Sequence, residues 1–198
     1  EKHAKPEQTN KPINYCQGRI RVNNEVNPSE VVNLAMLQQQ CATAGPDVKM
    51  LYGLLAKAGL QYGERMRAMR SIRLGACSTG NQALVELALP EALHSSASLY
   101  GIHPTLLDSA LQSSMSLGFA NPQGGNNQAA VGAPLPFSVT QVTWFATCPT
   151  QCWAWVRASE SNQSQQALDV DLMDAQGNVC LRVQGFVSRS QTASASAS

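Results

Sequence analysis

Charged side chains are scarce in this chain of 198 residues, of which they make up 14%. Their signs nearly cancel, since 14 Lys and Arg face 13 Asp and Glu for a net charge of +1. That balance argues against nucleic-acid binding and predicts no basic cluster for a free carboxylate. Because the charge content is low for the surface of a monomer, we expect a partner to cover part of it.

Membrane-spanning runs, a secretory leader and paired cysteine motifs are also absent from the sequence. No apolar run approaches the roughly 20 residues of a membrane helix, and no charged-then-apolar signal opens the chain. We therefore expect a soluble, cytoplasmic protein. Cys148 and Cys152 are separated by three residues, unlike the paired spacing of zinc sites, so the cysteines are expected to be reduced thiols without a metal.

The chain does contain enough apolar material for one core, with 43% hydrophobic residues and three Trp. Its central stretch is YGIHPTLLDSALQSSMSL at residues 100–117. Pro104 suits the first position of a helix, and Gly118 suits a left-handed helix end. Six apolar residues share one broad helical face, which predicts packing against a sheet: Leu106, Leu107, Ala110, Leu111, Met115 and Leu117.

Asp108 and Gln112 lie four residues apart, so they are neighbours at the edge of that apolar face. This spacing predicts a carboxylate beside an amide where water is scarce. A second interpretation stays open from the residues alone. An acid in the first turns of a helix is stabilised by the helix dipole, and the Gln beside it is then simply solvated.

Capping and alternation patterns predict the other elements. Asn27, followed by Pro28, begins a predicted helix that continues to Cys41, and Asp47 begins a second helix that Gly59 ends. Strands are predicted at about 13–22, 69–77, 82–89, 135–147, 152–159, 167–174 and 179–188.

Three shorter features complete the expected arrangement. Residues 78–81, STGN, predict a hairpin turn. Residues 121–134 are rich in Gly, Gln and Asn and predict a long mobile connection. Trp153 and Trp155 alternate with smaller residues, which predicts one shared sheet face and a packing role.

The run GIHPTLLDSALQ resembles the second signature of dehydratase domains in modular polyketide synthases, where His-Pro precedes Leu-Leu-Asp and Gln follows the Asp by four residues. Three further stretches resemble the same family in its order. They are LYGLLAKAGLQYGERMRAM upstream, and LPFSVTQV and DLMDAQGNVCLRVQGFVSR downstream. The resemblance covers about residues 13–189.

This resemblance implies an α+β hot-dog fold, with an antiparallel sheet wrapped on a long central helix, corresponding to one half of a double hot-dog. It divides the chain into a flexible lead-in at 1–12, the end of a first half with a linker at 13–46, the hot-dog domain at 47–189 and a disordered tail at 190–198. The rest of the first half, with the catalytic motif His-x-x-x-Gly-x-x-x-x-Pro of the family, is not in this sequence. His3 and Pro12 have the spacing of that motif, but Glu7 occupies the Gly position.

The family eliminates water from beta-hydroxyacyl thioesters on an acyl carrier protein, which implies no cofactor beyond the phosphopantetheine of the carrier. By resemblance, Asp108 donates a proton to the departing hydroxyl, Gln112 orients the carboxyl, and a His removes the alpha proton. An unperturbed Asp is ionised at pH 7, and keeping it protonated costs about 4 kcal/mol, which burial in an apolar tunnel can supply.

The resemblance also implies a substrate path, formed by Tyr62, Gly63, His103, Pro104, Leu107, Leu111, Leu135, Pro136 and Phe137. Met66 stands where the family usually has an aromatic partner for Tyr62. His103 is expected to be structural rather than the base. Expected partners are the acyl carrier protein, a first hot-dog half or other synthase domains, and a second copy in a homodimer; nucleic acid and membranes are not expected.

Three functions remain open at this point. In the first, the chain is part of a dehydratase whose base comes from elsewhere. In the second, it is a noncatalytic hot-dog module that helps to assemble a synthase. In the third, it is a related domain that shifts a double bond or forms an oxygen ring. Relatives that shift a double bond usually lack the acidic Asp, so Asp108 argues against that branch but leaves ring formation open.

Overall fold

The computed structural model describes residues 15–22, 30–120, 134–160 and 167–190. In these residues, α-helices pack on one antiparallel sheet. The helices are α1 (Leu34–Gln40), α2 (Val48–Lys57) and α3 (Pro104–Gln112), and 3₁₀ segments cover Glu64–Met66, Glu91–Leu99 and Ser113–Phe119. The strands are β1 (Thr43–Ala44), β2 (Met69–Cys77), β3 (Gly80–Ala88), β4 (Pro134–Ser138), β5 (Gln141–Trp144), β6 (Gln151–Ala158), β7 (Leu168–Met173) and β8 (Val179–Ser190).

The sheet has the order β1-β2-β3-β6-β7-β8-β4, and β5 pairs with a different part of β8. All pairings are antiparallel. The predicted hairpin between β2 and β3 is confirmed, and its Gly80 has a φ of 121°, a left-handed conformation that suits glycine. This sheet, with helices on its faces, confirms the predicted α+β class.

The single strand predicted at 135–147 is wrong, because the chain forms β4 and β5 with a break at Val139–Thr140. β4 pairs with the end of β8, and β5 pairs with residues 181–184 of the same strand. Gly185 lies between the two pairings with a φ of 64°. A Cβ at Gly185 would approach the Thr140 hydroxyl to 2.2 Å, so the break and the glycine depend on each other.

The main core lies between one sheet face and the helices α2 and α3. Leu106 and Ala110 are fully buried there, and the other members of the predicted apolar face are partly buried against the same core. Leu51 and Leu55 of α2 join them. The sheet therefore covers the apolar side of α3, as the sequence predicts.

A smaller cluster lies on the opposite sheet face, under α1. Leu37 and Met173 are buried in it, and Trp153 and Trp155 pack against it from neighbouring positions of β6. The Trp155 indole donates a hydrogen bond to Oε1 of Gln82 over 2.9 Å. The prediction that both Trp residues share a packed sheet face is confirmed.

The segment before α1 is bound to the β7–β8 turn, which changes where the helix begins. Glu30 accepts a hydrogen bond from the Val179 amide, and the Val32 amide donates to the Gly177 carbonyl over 2.9 Å. Because these backbone groups are engaged in sheet-like pairing, the helix predicted to continue from Val31 to Cys41 begins only at α1 among the described residues. Its predicted start at Asn27 lies outside the residues that the structure describes. Its cap is Asn33, whose Oδ1 accepts from the Met36 amide over 3.0 Å.

Two further local predictions are settled by capping geometry. Asp47 caps α2 as predicted, with Oδ1 accepting from the Met50 amide, and Gly59 follows the helix with a φ of 98°. Gly118, by contrast, is not a left-handed helix end, since α3 already changes to a 3₁₀ segment at Ser113. The hydroxyls of Ser113 and Ser114 donate to carbonyls three residues back, a competition that disfavours a continuing α-helix.

The predicted strand at 13–22 is wrong over the residues that are described, because 15–22 have no regular secondary structure. Tyr15, Ile20 and Val22 are more than four-fifths exposed. An alternating pattern forms a strand only when a neighbouring strand accepts its hydrogen bonds, and this segment pairs with none of the described strands. The lead-in at 1–12, the connection at 121–133 and the tail from 191 onward lie outside the described residues.

Candidate active site

The N-terminus of α3 is built around His103. Its Nδ1 accepts a hydrogen bond from the Thr105 amide over 3.2 Å, and its Nε2 lies 3.3 Å from the Ser96 hydroxyl. Pro104 is the first helical residue, as predicted. The ring is 8% exposed and meets the edge of Tyr100. Burial lowers the pKa of His103, which favours the neutral imidazole that the cap requires.

Two hydroxyls on α3 hold the segment that follows Tyr62. Ser109 accepts from the Ala68 amide over 3.1 Å, and its hydroxyl also faces the Met66 carbonyl at 3.4 Å. Thr105 donates to the Arg65 carbonyl over 3.1 Å. These contacts fix the 3₁₀ segment at Glu64–Met66 against the helix that carries Asp108.

Asp108 and Gln112 meet as their spacing predicts. Nε2 of Gln112 donates to Oδ2 of Asp108 over 2.6 Å, and Gln112 is only 6% exposed. Its other amide atom, Oε1, is buried and accepts no hydrogen bond from the described residues. Burial raises the pKa of Asp108, and the amide of Gln112 opposes that shift only in part. The carboxyl thus holds its proton to higher pH than a solvated Asp.

Tyr62 lies on the same wall. Burial raises the pKa of its hydroxyl, the neighbouring charge of Asp108 raises it further, and the Gln112 amide lowers it. The Tyr62 ring meets the ring of Tyr52 edge-on, with 6.3 Å between centroids. An acidic carboxyl, an amide and a phenol therefore come together beside the core.

These groups face a small pocket of about 50 Å³, room for only a few waters at roughly 10–15 Å³ each. Its wall is mostly apolar and combines α2, α3 and the paired strands β4 and β8. The lining residues are Leu55, Leu60, Tyr62, Asp108, Leu111, Gln112, Ser114, Met115, Leu135, Pro136, Phe186 and Ser188. A carboxyl on such a wall can donate a proton to a bound apolar ligand that carries a hydroxyl.

Of the nine predicted substrate residues, Tyr62, Leu111, Leu135 and Pro136 lie in this wall. The other five lie outside it. Gly63 precedes the first 3₁₀ segment, and His103 and Pro104 begin α3. Leu107 packs against the main core. Phe137 is 56% exposed, with the Arg189 guanidinium 3.4 Å above its ring. Their roles toward a substrate stay predictions.

The wall also contains residues that the sequence reasoning missed, among them Leu55, Phe186 and Ser188. Ser188 reaches the pocket because it pairs with Pro136 across β4 and β8. That register depends on the break at Thr140, which no local pattern reveals. Met115, by contrast, belongs to the apolar face already predicted for α3 and could have been assigned from it.

Other clusters of reactive side chains do not add a second site. Cys148, Cys152 and Cys180 are buried and unpaired in disulfides. Across the described parts of the chain, no group of three or more His, Cys, Asp or Glu could hold a metal ion. Within the same residues, no helix has the length and apolar character to cross a membrane.

A family model described as the polyketide synthase dehydratase N-terminal domain matches residues 29–198. The chain belongs to this dehydratase family. The description names an N-terminal domain, whereas GIHPTLLDSALQ and the stretches around it resemble the second half of a dehydratase, so the half that this chain represents stays a prediction.

Several curated polyketide synthases are similar to the chain. Polyketide synthase PksM of Bacillus subtilis is 29% identical over 174 residues, and PksN of the same organism is 31% identical over 175 residues. GfsE of Streptomyces halstedii is 37% identical over 142 residues. The alignments cover 86%, 88% and 72% of this chain but only 3–4% of those proteins. The relatives are therefore far longer than this dehydratase chain.

Solved dehydratase structures share its fold. An inactive His-to-Phe mutant of CurK dehydratase matches with a TM-score of 0.71 and 26% identity, over 85% of this chain and 55% of that one. An inactive Asp-to-Asn mutant of the same enzyme and a trans-AT dehydratase domain from Brevibacillus brevis each match with a TM-score of 0.69 and 27% identity, over 84% of this chain and 55% of theirs. The predicted hot-dog fold is confirmed, and this chain spans about half the length of those structures.

Proposed function

We propose that this dehydratase chain supplies the acid of a site that eliminates water from a beta-hydroxyacyl thioester carried on an acyl carrier protein. The observation that supports this role most directly is the half-buried Asp108 carboxyl, bonded to Gln112 on an apolar pocket wall. Because burial raises its pKa, the carboxyl is a better proton donor near neutral pH than a solvated Asp.

In the proposed step, Asp108 gives its proton to the beta-hydroxyl as the C–O bond breaks. A base takes the alpha proton, and the electrons of that C–H bond form the double bond of the trans-enoyl product. Water leaves, and the new carboxylate accepts the N–H of Gln112, which is already in place at 2.6 Å. The amide therefore stabilises the charge that Asp108 acquires during the step.

The base in this proposal is a His of the other half of the dehydratase. His94 has its Nε2 2.9 Å from the Leu89 carbonyl, and His103 caps α3. Neither lines the pocket that Asp108 faces, and His3 lies outside the described residues. The similar CurK dehydratase is inactive as a His mutant and as an Asp mutant, which supports a reaction that requires both residue types.

Two features support the proposal that another hot-dog half completes this site. The chain covers only 55% of each of the similar CurK and Brevibacillus structures, and its pocket is too small to enclose an acyl thioester. In addition, β1 pairs with β2 only at Arg73 and Leu74, which leaves much of this sheet edge without a strand among the described residues. Such edges are usually paired or covered.

The proposed function is tested by joining this chain to a first half that carries the His motif and supplying a carrier-linked beta-hydroxyacyl substrate. Asp108→Asn should preserve folding and substrate binding while lowering dehydration by roughly a thousandfold or more, since an amide cannot donate the acid proton. Near-normal turnover would rule out the role of Asp108. The free beta-hydroxy acid should react far more slowly than the carrier-linked form, and equal efficiency would refute recognition of the carrier.

A further inference from the structure

Arg67 is held in one orientation beside the wall of the pocket. Its Nε donates to the carbonyl of Tyr62 over 2.9 Å, and its guanidinium lies 5.2 Å from the centre of the Tyr52 ring. The side chain is exposed, and its two terminal nitrogens form no hydrogen bond with another of the described residues. The guanidinium is thus oriented by one nitrogen and the ring, while its bidentate edge remains free.

The same part of the chain concentrates positive charge. Residues 47–73 contain six basic side chains and two acidic ones, a net charge of +4. The whole chain carries only +1, so the remaining residues sum to −3. The near-neutral total therefore conceals a local excess of positive charge along this segment. The basic residues are Lys49, Lys57, Arg65, Arg67, Arg70 and Arg73, all exposed.

Arg67 differs from its basic neighbours in how directly it is connected to the pocket. Tyr62, whose carbonyl holds it, also lines the pocket with Asp108 and Gln112. Arg70 instead uses a terminal nitrogen to donate to the Ala88 carbonyl. Arg73 lies on β2 near Cys41 and α1, on the other side of the sheet. Arg65 is bound to α3 only through its carbonyl. Among the described arginines of this segment, only the side chain of Arg67 is itself bonded to a residue that lines the pocket while its guanidinium edge is unused.

We propose that Arg67 binds the phosphate of the phosphopantetheine arm when the acyl thioester enters the pocket. This inference rests on the proposed function, which places the acyl chain beside Asp108 and so requires the arm to leave along the pocket rim. A guanidinium that is already oriented loses little freedom when it binds an anion, and its planar edge matches two phosphate oxygens. The surrounding charge of residues 47–73 adds long-range attraction for the same group.

The test compares two probes that differ only in the phosphate. One is the beta-hydroxyoctanoyl thioester of phosphopantetheine, and the other is the same thioester of pantetheine. Binding of each is measured by calorimetry at low and high salt, to this chain carrying Asp108→Asn and joined to a first half with the His motif, so that the probe is bound but not consumed. The phosphorylated probe should bind about tenfold more tightly at low salt, a difference that corresponds to about 1.4 kcal/mol, and the advantage should shrink as salt rises.

Arg67→Gln should remove the advantage of the phosphorylated probe and leave binding of the pantetheine thioester unchanged. Arg73→Gln is the matched control, because it removes the same charge from the same segment but should retain the advantage. Arg67→Lys should retain only part of it, since an ammonium keeps the charge but lacks the planar edge.

The outcomes separate this inference from the proposed function. If both probes bind equally, or if Arg67→Gln retains the advantage, the phosphate contact is refuted while the acyl pocket stands. If Arg67→Gln and Arg73→Gln lose the same share, the effect belongs to net charge and the assignment to Arg67 is wrong. If neither probe binds to the joined protein, the site does not receive the acyl arm, and the proposed function is refuted together with the inference.

Discussion

Gln112 donates a hydrogen bond to Asp108 across one turn of α3, with 2.6 Å between Nε2 and Oδ2. This bond favours the ionised carboxyl, whereas burial favours the protonated one, and burial is the larger effect. The surroundings of Asp108 therefore stabilise both forms of the carboxyl. Burial keeps the proton on Asp108 before the reaction, and the Gln112 amide donates a hydrogen bond to the carboxylate afterwards.

The raised pKa of Asp108 predicts a dependence of folding stability on pH. Because the folded state holds this proton more tightly than the unfolded state, the contribution of Asp108 to stability is greatest at low pH and is lost as pH rises above its ordinary range. Asp108→Asn removes the titrating group, so the variant does not lose this stability as the pH rises. Thermal unfolding of the chain should therefore show a higher midpoint for the variant at about pH 7 and no gain at about pH 3. A lower midpoint at about pH 7 would contradict the assignment.

Gln112→Ala should separate orientation from proton donation. In the joined enzyme, loss of the amide should lower turnover by about tenfold to a hundredfold, less than Asp108→Asn. Because Gln112 lowers the pKa of Asp108, its removal should also move the alkaline fall of the rate profile to higher pH. A shift of that limb to lower pH would show that the amide does not act on the acid.

His103 should be replaceable by a residue that caps a helix. His103→Asn offers an oxygen to the Thr105 amide and should keep most of the stability, whereas His103→Ala should cost about 1 kcal/mol. Denaturant unfolding measures both. In the joined enzyme, the Asn variant should retain its turnover, and a loss comparable with that of Asp108→Asn would instead identify His103 as a participant in proton transfer.

How far the sequence predicts this molecule depends on the range of the interaction involved. Asp47, Gly59 and the Asp108–Gln112 pair were predictable because each depends on neighbours within one or two helical turns. The start of α1 was not, since Glu30 and Val32, which the sequence places in that helix, are bonded to a turn about 150 positions later. Tertiary pairing overrode the local helical pattern at these two residues.

The residues of the candidate site also divide into those that depend on near neighbours in sequence and those that depend on distant contacts. One wall, formed by α3 and Tyr62, follows from helical periodicity and the family motif. The opposite wall depends on the register between β4 and β8, beside a break where Thr140 approaches Gly185 too closely for any side chain at that position. No pattern within either strand encodes that contact, and so Phe186 and Ser188 were missed.

The attachment of the linker to the β7–β8 turn should depend on a single glycine. Gly177 has a φ of 85°, and a Cβ there would lie 2.0 Å from the Val32 carbonyl oxygen. Gly177→Ala should therefore destabilise the chain by about 1–3 kcal/mol. Gly53→Ala is the matched control, because nothing lies within 4 Å of its Cβ position in α2, and it should stabilise by up to about 1 kcal/mol. Equal effects in unfolding experiments would refute the linker contact.

The central claim is that this chain supplies an acid without its base. The most direct measurement is formation of enoyl product from a carrier-linked beta-hydroxyacyl substrate, by the purified chain alone and after addition of a first half with the His motif. We expect no turnover by the chain alone and clear turnover by the pair. That turnover should be lost when the added half lacks its His or when this chain carries Asp108→Asn. Robust turnover by the isolated chain, at a level that contaminating enzyme cannot explain, would contradict the account and return His103 to consideration as the base.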